Sequence, residues 1–270
     1  MNSTLSTARL ADNASCPAPY GARPIRPLVA LRSFRRVVAN KDDTREVFEI
    51  IRALSGRSIP RGYFHLVSTV EGGRQAYDAP ELATLFEDKA WLANFPIGSV
   101  GAAYRDFIAR RGFSASGLAD ESKKIGDPRV DDRHPIAWYA RRIRDIHDVW
   151  HVLTGYGTDA MGEACLLGFT HAQAGNGALL FLAIAASLEL KRLNWRTPYI
   201  AAVSQAWRNG RRARSLDAID YGELFAEPLT TARKRLHIRP PSIYQRVGLA
   251  ARNGYRYPAE PNTFELWPAS

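Results

Sequence analysis

His147, Asp148 and His151 stand in one short run, His147-Asp148-Val149-Trp150-His151, and Glu163 follows after an interval of eleven residues. An α-helix turns about 100° per residue, which sets the two imidazoles about 40° apart on one face and Asp148 about 60° to the side of His151. Imidazoles at i and i+4 are a standard helical way to hold a divalent ion. Beyond them Gly155 and Gly157 end the helix, and Thr158 or Asp159 caps a second helix that carries Glu163. A short turn folds the second helix back on the first and brings Glu163 toward the histidines. The expected metal ligands are therefore His147, Asp148, His151 and Glu163, with one coordination position open for catalysis. Nitrogen and oxygen ligands without thiolate suit Zn, Mn or Fe(II), with Zn the first expectation. Asp148 and Glu163 are also the local carboxylates for moving a proton.

Other metal chemistries fit less well. A zincin needs Glu directly after the first histidine, where this chain has Asp148. A ferritin-like di-iron site needs Glu-x-x-His, but Leu166 stands three residues after Glu163. An HD-type phosphohydrolase, with His134 as an upstream ligand, lacks an obvious later aspartate. The run from Gly155 to Gly162 misses the GxGxxG spacing and follows a helix instead of a strand, so it is no dinucleotide loop.

The elements that must position these residues are helical. The segment from about 134 to 153 repeats Ile136, Tyr139, Ile143, Ile146, Trp150 and Leu153 at three- and four-residue steps and predicts one continuous helix with one buried face. Asp43 and Glu46 form a capping-box-like start ahead of Val47, Ile50, Ile51 and Leu54. Asp78 and Pro80 are expected to open a helix carrying Leu82, Leu85 and Phe86, and Ser99 to Arg111 a further one stopped by Gly112. More helices are expected at about 158–174, 177–194, 198–214 and 218–237, and Tyr63 to Val70 is the one modest strand candidate. The expected fold is all-α, a single-domain helical bundle with its metal site between two consecutive helices. Residues 1–27 read as an N-terminal tail, 28–258 as the helical domain and 259–270 as a C-terminal tail.

Composition bounds the remaining choices. The chain has 270 residues, 46% apolar and 24% charged, which is ordinary for a globular protein and excludes wholesale disorder. Cys16 and Cys165 make neither a disulfide framework nor a zinc finger. The densest apolar stretch, Ala178 to Leu188, is shorter than the ~20 residues of a spanning helix. It predicts a central core helix or, where Ala183, Ala185 and Ala186 allow close approach, one wall of a slot for an apolar tail. The net charge of +10 rests on arginine, and no nucleic-acid motif accompanies it. The run Arg208 to Arg214 reads as a solvated helix end.

Several motifs together resemble the coenzyme Q biosynthesis protein four family. Its metal signature matches His147-Asp148-x-x-His151 and Glu163, its arginine pair Arg142 and Arg144, and its Gln-x-Gly matches Gln173-Ala174-Gly175. Phe95-Pro96-Ile97-Gly98-Ser99-Val100-Gly101, with Tyr104 and Phe107, is similar to a second family motif; Thr170 and Asn176-Gly177 depart from the family pattern. The resemblance implies C1 decarboxylation, simple or oxidative, of a polyprenylated 4-hydroxybenzoate-type ring in ubiquinone synthesis, or else a non-catalytic organiser that presents prenylated lipids to other ubiquinone-biosynthesis proteins. It implies peripheral membrane contact at the cytoplasmic face of a bacterial inner membrane, or the matrix side of the mitochondrial one in a eukaryote, and it is compatible with a homo-oligomer. Arg142 and Arg144 are the expected holders of an anionic substrate head group.

Overall fold

The computed structural model of the chain describes residues 20–39, 44–111 and 130–252. Asp43 and Gly112, read above as helix signals, lie outside them, as do Cys16 and most of both tails. The described residues form α1 (Pro27–Ala39), α2 (Thr44–Leu54), α3 (Ser58–Val67), α4 (Val70–Asp78), α5 (Leu82–Glu87), α6 (Lys89–Ala93), α7 (Val100–Arg111), α8 (Pro135–Asp145), α9 (His147–Thr154), α10 (Ala160–Ala174), α11 (Gly177–Leu193), α12 (Tyr199–Arg212), α13 (Tyr221–Ala226), α14 (Leu229–Arg235), α15 (Ser242–Gln245) and α16 (Leu249–Arg252). No strand occurs among them; Ser99 and Pro228 make a single isolated bridge. The expected all-α fold is the observed one.

The helix α10 is the axis of the bundle, with α11 and α12 packed along it. Met161, Ala164, Cys165, Leu166 and Phe169 of α10 are buried in the main core with Val149, Trp150, Val152 and Leu153 of α9. Phe86, Tyr104 and Phe225 close one end of that core, the Phe86 and Phe225 rings stacked at 5.0 Å. A second cluster joins Ala30 of α1 and Ile50 and Ala53 of α2 to Leu182 of α11. Segment 20–26 is already tied to the fold: Arg23 and Arg26 donate backbone N–H groups to the carbonyls of Gly56 and Ala53, at 3.0 and 2.8 Å. Among the described residues no helix is long and apolar enough to cross a membrane.

Four expectations are corrected. Tyr63 to Val67 is helical because Ile59, Tyr63 and Leu66, at helical spacing, meet Trp138 and Tyr139 of α8. Asp78 ends a helix instead of opening one, since Ala79 takes a left-handed cap at φ 43°. The helix expected over 218–237 is two short ones. Pro228 lacks an N–H and holds Glu227 extended at ψ 144°, so α13 stops there. The helix expected over 134–153 is interrupted at Ile146, where ψ flattens to −6°.

That interruption serves two anchors. Arg142 of α8, only 1% exposed, donates Nε–H to the carbonyl of Asp217 at 2.7 Å and Nη2–H to that of Ile219. Trp150 of α9 donates Nε1–H to the Tyr221 hydroxyl at 2.7 Å, and that hydroxyl donates to the Leu216 carbonyl at 2.9 Å. Segment 216–221 thus grips both halves, and the bend at Ile146 lets each half meet it. Tyr221→Phe would strand the buried indole N–H and the Leu216 carbonyl. It is expected to lower stability by about 1–3 kcal/mol, the penalty of an unsatisfied buried polar group. Urea unfolding at unchanged m-value checks this.

Candidate metal centre

The first half of the site is built by helix termini. α9 starts at His147, just past the bend, and ends at Gly155, whose φ of 78° glycine adopts without strain. That left-handed turn swings the Tyr156 carbonyl back under the helix, where it lies 2.9 Å from His151 Nδ1. A carbonyl only accepts, so Nδ1 carries a proton, and in the neutral ring Nε2 is the nitrogen left to meet a metal or a second proton. His151 is fully buried, with Phe107 of α7 stacked on its ring at 5.5 Å.

The second half starts with Asp159, which caps α10 by accepting the Gly162 N–H at 2.9 Å. Tyr244 fastens the cap by donating its hydroxyl to Asp159 and accepting the Gly157 N–H at 2.9 Å. A side chain at Gly162 would stand 2.1 Å from the Gly157 carbonyl oxygen, so only glycine lets α10 start this close to α9. Glu163, one residue on, is thereby delivered to the histidines.

The carboxylate of Glu163 reaches both imidazoles, Oε2 at 3.5 Å from His147 Nε2 and Oε1 at 3.4 Å from His151 Nε2. The three ligand atoms lie within 4.8 Å of one another, and this is the one such cluster among the described residues. Two tests support a fit to an ion. Ligand atoms each about 2.0–2.1 Å from a tetrahedral zinc are separated by roughly 3.3 Å, close to the two carboxylate–imidazole distances, while the cluster as a whole stays within 4.8 Å. His151 Nε2 is also buried and makes no hydrogen bond, an orphaned lone pair aimed into the cluster. Asp148 is not one of the three converging groups; its charge acts on His151 from the same helix.

The remaining sequence-predicted residues lie in other contacts. Arg142 is spent on backbone carbonyls and faces the Trp138 and Tyr221 rings at 5.5 and 5.4 Å. Arg144 pairs with Asp145 at 2.7 Å, and burial raises the Asp145 pKa even against that partner. His134 caps α8 by accepting the Ile136 N–H at 3.2 Å and stacks on Tyr20 at 3.5 Å. Gln173 is a strut, donating to the Gly210 carbonyl and accepting the Leu216 N–H at 3.0 Å. Thr170, at the departure from the family pattern, is buried with no hydrogen bond to its hydroxyl. Sequence reasoning missed the Tyr156 carbonyl, Tyr244, Tyr221 and Arg233. Arg233 donates Nε–H and Nη2–H to the carbonyls of Leu153 and Val152, both at 2.9 Å, and so caps the metal helix.

Electrostatics decide how the triad meets protons. Burial alone would raise the Glu163 pKa, but the two imidazoles outweigh it and hold the carboxyl well below its usual range. Burial alone would lower the His151 pKa, but the Glu163 charge outweighs it and the net shift is upward. Without a metal, Glu163 thus contributes stability above its ordinary pKa of 4.5 and loses it on acidification. His151 contributes below its ordinary 6.5 and loses it as pH rises through its higher folded value. A divalent ion competes with those protons and acts in the opposite direction. The rise in Tm on adding Zn²⁺ is expected to be small near pH 5.5 and to grow to about pH 7.5. Thermal melts across that range check it, and a pH-independent rise would contradict it.

Comparison with known proteins identifies the family. The family model described as coenzyme Q (ubiquinone) biosynthesis protein Coq4 matches residues 33–242. A ubiquinone biosynthesis protein COQ4 homolog, mitochondrial, of Rattus norvegicus is 27% identical over 171 residues, 63% of this chain and 62% of that protein. The Mus musculus protein of the same name is 28% identical over 176 residues, again 63% and 62%. The chain therefore spans less than two thirds of the length of these relatives. A crystal structure of a Nostoc punctiforme PCC 73102 protein shares the fold at a TM-score of 0.55 and 19% identity, covering 80% of this chain and 99% of that one. With a match running from α1 to the start of α15, the chain belongs to the Coq4 family of coenzyme Q (ubiquinone) biosynthesis proteins.

Proposed function

We propose that this protein acts in ubiquinone biosynthesis as a metal-dependent carboxy-lyase, removing the C1 carboxylate of a polyprenylated 4-hydroxybenzoate-type ring. The observation that carries the reading is the orphaned, buried Nε2 of His151, facing Glu163 and His147 with its tautomer fixed by Tyr156. His147, His151 and Glu163 would hold the ion, and Zn, Fe or Mn suits the donor set. When bound, a divalent ion supplies charge that orients a carboxylate and stabilises electron density left as carbon dioxide departs. The residues themselves do the rest. The Tyr156 carbonyl keeps the His151 proton on Nδ1 and out of the reaction. Asp148, on the first turn of α9, is assigned to hand a proton to the ring carbon that loses carbon dioxide, so that one proton replaces one carboxylate. Oxidative replacement by hydroxyl would further require dioxygen and a redox-active ion.

An apolar tail needs an apolar path. Leu182 and Ala183 of α11 are buried, whereas Ile184 and Leu188 on the opposite side are 45% and 54% exposed. Trp195 and Ile200 follow at 70% and 41% exposure, with Lys191, Arg192 and Arg196 beside them. An apolar strip edged by cations suits the surface of an anionic membrane, where a prenylated substrate resides. This supports peripheral association with the membrane, at the bacterial inner face or on the mitochondrial matrix side, beside the other enzymes of the pathway.

Two measurements test the reading. His151→Ala and Glu163→Gln are expected to lose bound metal and to lower turnover of a prenylated 4-hydroxybenzoic acid at least about a hundredfold, since several kcal/mol of charge stabilisation disappears. Turnover that survives loss of the ion would overturn the metal-dependent reading, and an intact protein that binds the prenylated acid without turning it over would leave a lipid-presenting organiser as the function. Vesicles containing anionic lipid should retain the protein at low salt and release it as salt rises, at about 1 kcal/mol per well-placed basic residue. Salt-insensitive partitioning would count against the membrane contact.

A further inference from the structure

Behind the C-terminal end of the metal helix lies a cavity of about 530 Å³ that the proposed chemistry does not use. Its lining is Arg212, Arg233, Lys234, His237, Ile238 and Arg239, with no carboxylate among them. The nearby Glu227 is engaged by Arg235. Three segments supply the cations: the end of α12, the end of α14, and the turn after it. Backbone bonds lock these segments together, Arg214 N–H to the Leu236 carbonyl at 3.0 Å and Ile238 N–H to the Arg233 carbonyl at 2.9 Å.

A solvated helix end does not account for this arrangement. Arg233 is only 3% exposed, and burial pulls its pKa down to about 10, so a charged guanidinium is held there against a desolvation cost. His237 sits at φ 56° in the left-handed region, which disfavours most residues but not glycine. The chain thus carries an imidazole on the cavity wall at a position where glycine would be less strained. Arg212, Lys234 and Arg239 are exposed at the rim and make no ion pair with a described residue.

We infer that this cavity binds a phosphate group bearing more than one negative charge, free or as the head group of a lipid. Three exposed cations, Arg212, Lys234 and Arg239, two of them guanidinium forks and backed by the buried charge of Arg233, suit several phosphate oxygens better than a single carboxylate. Arg233 links the site to the carbonyls that end the metal helix. The inference does not depend on the carboxy-lyase reading, because none of these residues belongs to the metal triad.

The test uses the full chain with two probes, inorganic pyrophosphate by titration calorimetry and phosphatidylcholine vesicles with or without phosphatidic acid by sedimentation. The double variant R212E/R239E should weaken binding at least about tenfold, and Lys234→Ala should weaken it less but in the same direction. Arg32→Glu, an exposed reversal on α1, is the charge-matched control. Loss of saturable pyrophosphate binding in the cavity variants alone assigns a free phosphate compound. Loss of phosphatidic-acid-dependent sedimentation in those variants alone assigns a head group. Absence of binding to both probes, or an equal loss in R32E, overturns the inference, provided circular dichroism shows all variants folded.

Discussion

The hydrogen bond from His151 Nδ1 to the Tyr156 carbonyl is the constraint on which the site depends. It exists because α9 ends in a left-handed glycine, which turns the chain back so that a carbonyl five residues on lies beneath the ring. The same device recurs one helix later, where His171 Nδ1 lies 2.9 Å from the Asn176 carbonyl beyond the left-handed Gly175. Only the first of the pair is fully buried, and only there does the other ring nitrogen face a carboxylate, at 3.4 Å. A fixed tautomer on a fully buried ring gives a ligand with little freedom left to lose on binding an ion.

Holding that ring requires both ends of α9 to be held. At the N-terminal side, Arg142 and Trp150 reach the same segment, 216–221, from either side of the Ile146 bend. At the other end, Arg233 takes up two terminal carbonyls. These anchors are polar groups in the core, and each is held by a backbone carbonyl or hydroxyl, although Arg142 Nη1 is buried without a hydrogen-bond partner. Such groups specify one arrangement because any other leaves them unpaired. The apolar contacts around Phe86, Tyr104 and Phe225 exclude water but tolerate shifts that the hydrogen bonds do not.

What the sequence made legible follows from range. The helical spacing of His147 and His151, the capping Asp159 and the glycines before it are local features, and the two helices read from them bring His147, His151 and Glu163 together, without Asp148. The strand expected at 63–70 failed because Ile59, outside the window that suggested alternation, completes a helical stripe against α8. The single helix over 134–153 failed for a related reason. Its apolar stripe is continuous, but the partners that bend it, Asp217, Ile219 and Tyr221, lie about seventy residues away. Arg142 illustrates the limit for function: next to a metal motif it suggests an anion receptor, yet in the fold it is a buried strut. The Tyr156 carbonyl was beyond reach altogether, since a main-chain oxygen has no letter in the sequence.

The triad's uneven burial has a consequence for its chemistry. His151 is fully enclosed, while the His147 and Glu163 side chains keep 26% and 34% exposure. One ligand is therefore fixed by the core and two face outward, which leaves the open side of the site on the surface rather than inside the bundle. On the proposed reading, a substrate with an anionic ring and a long apolar tail would meet the site ring first, its tail left outside the bundle. On that reading the protein would not have to extract the whole lipid from the membrane to reach its carboxylate. The energetic demand then falls on positioning the ring, which the rigid His151 side of the site is built to do.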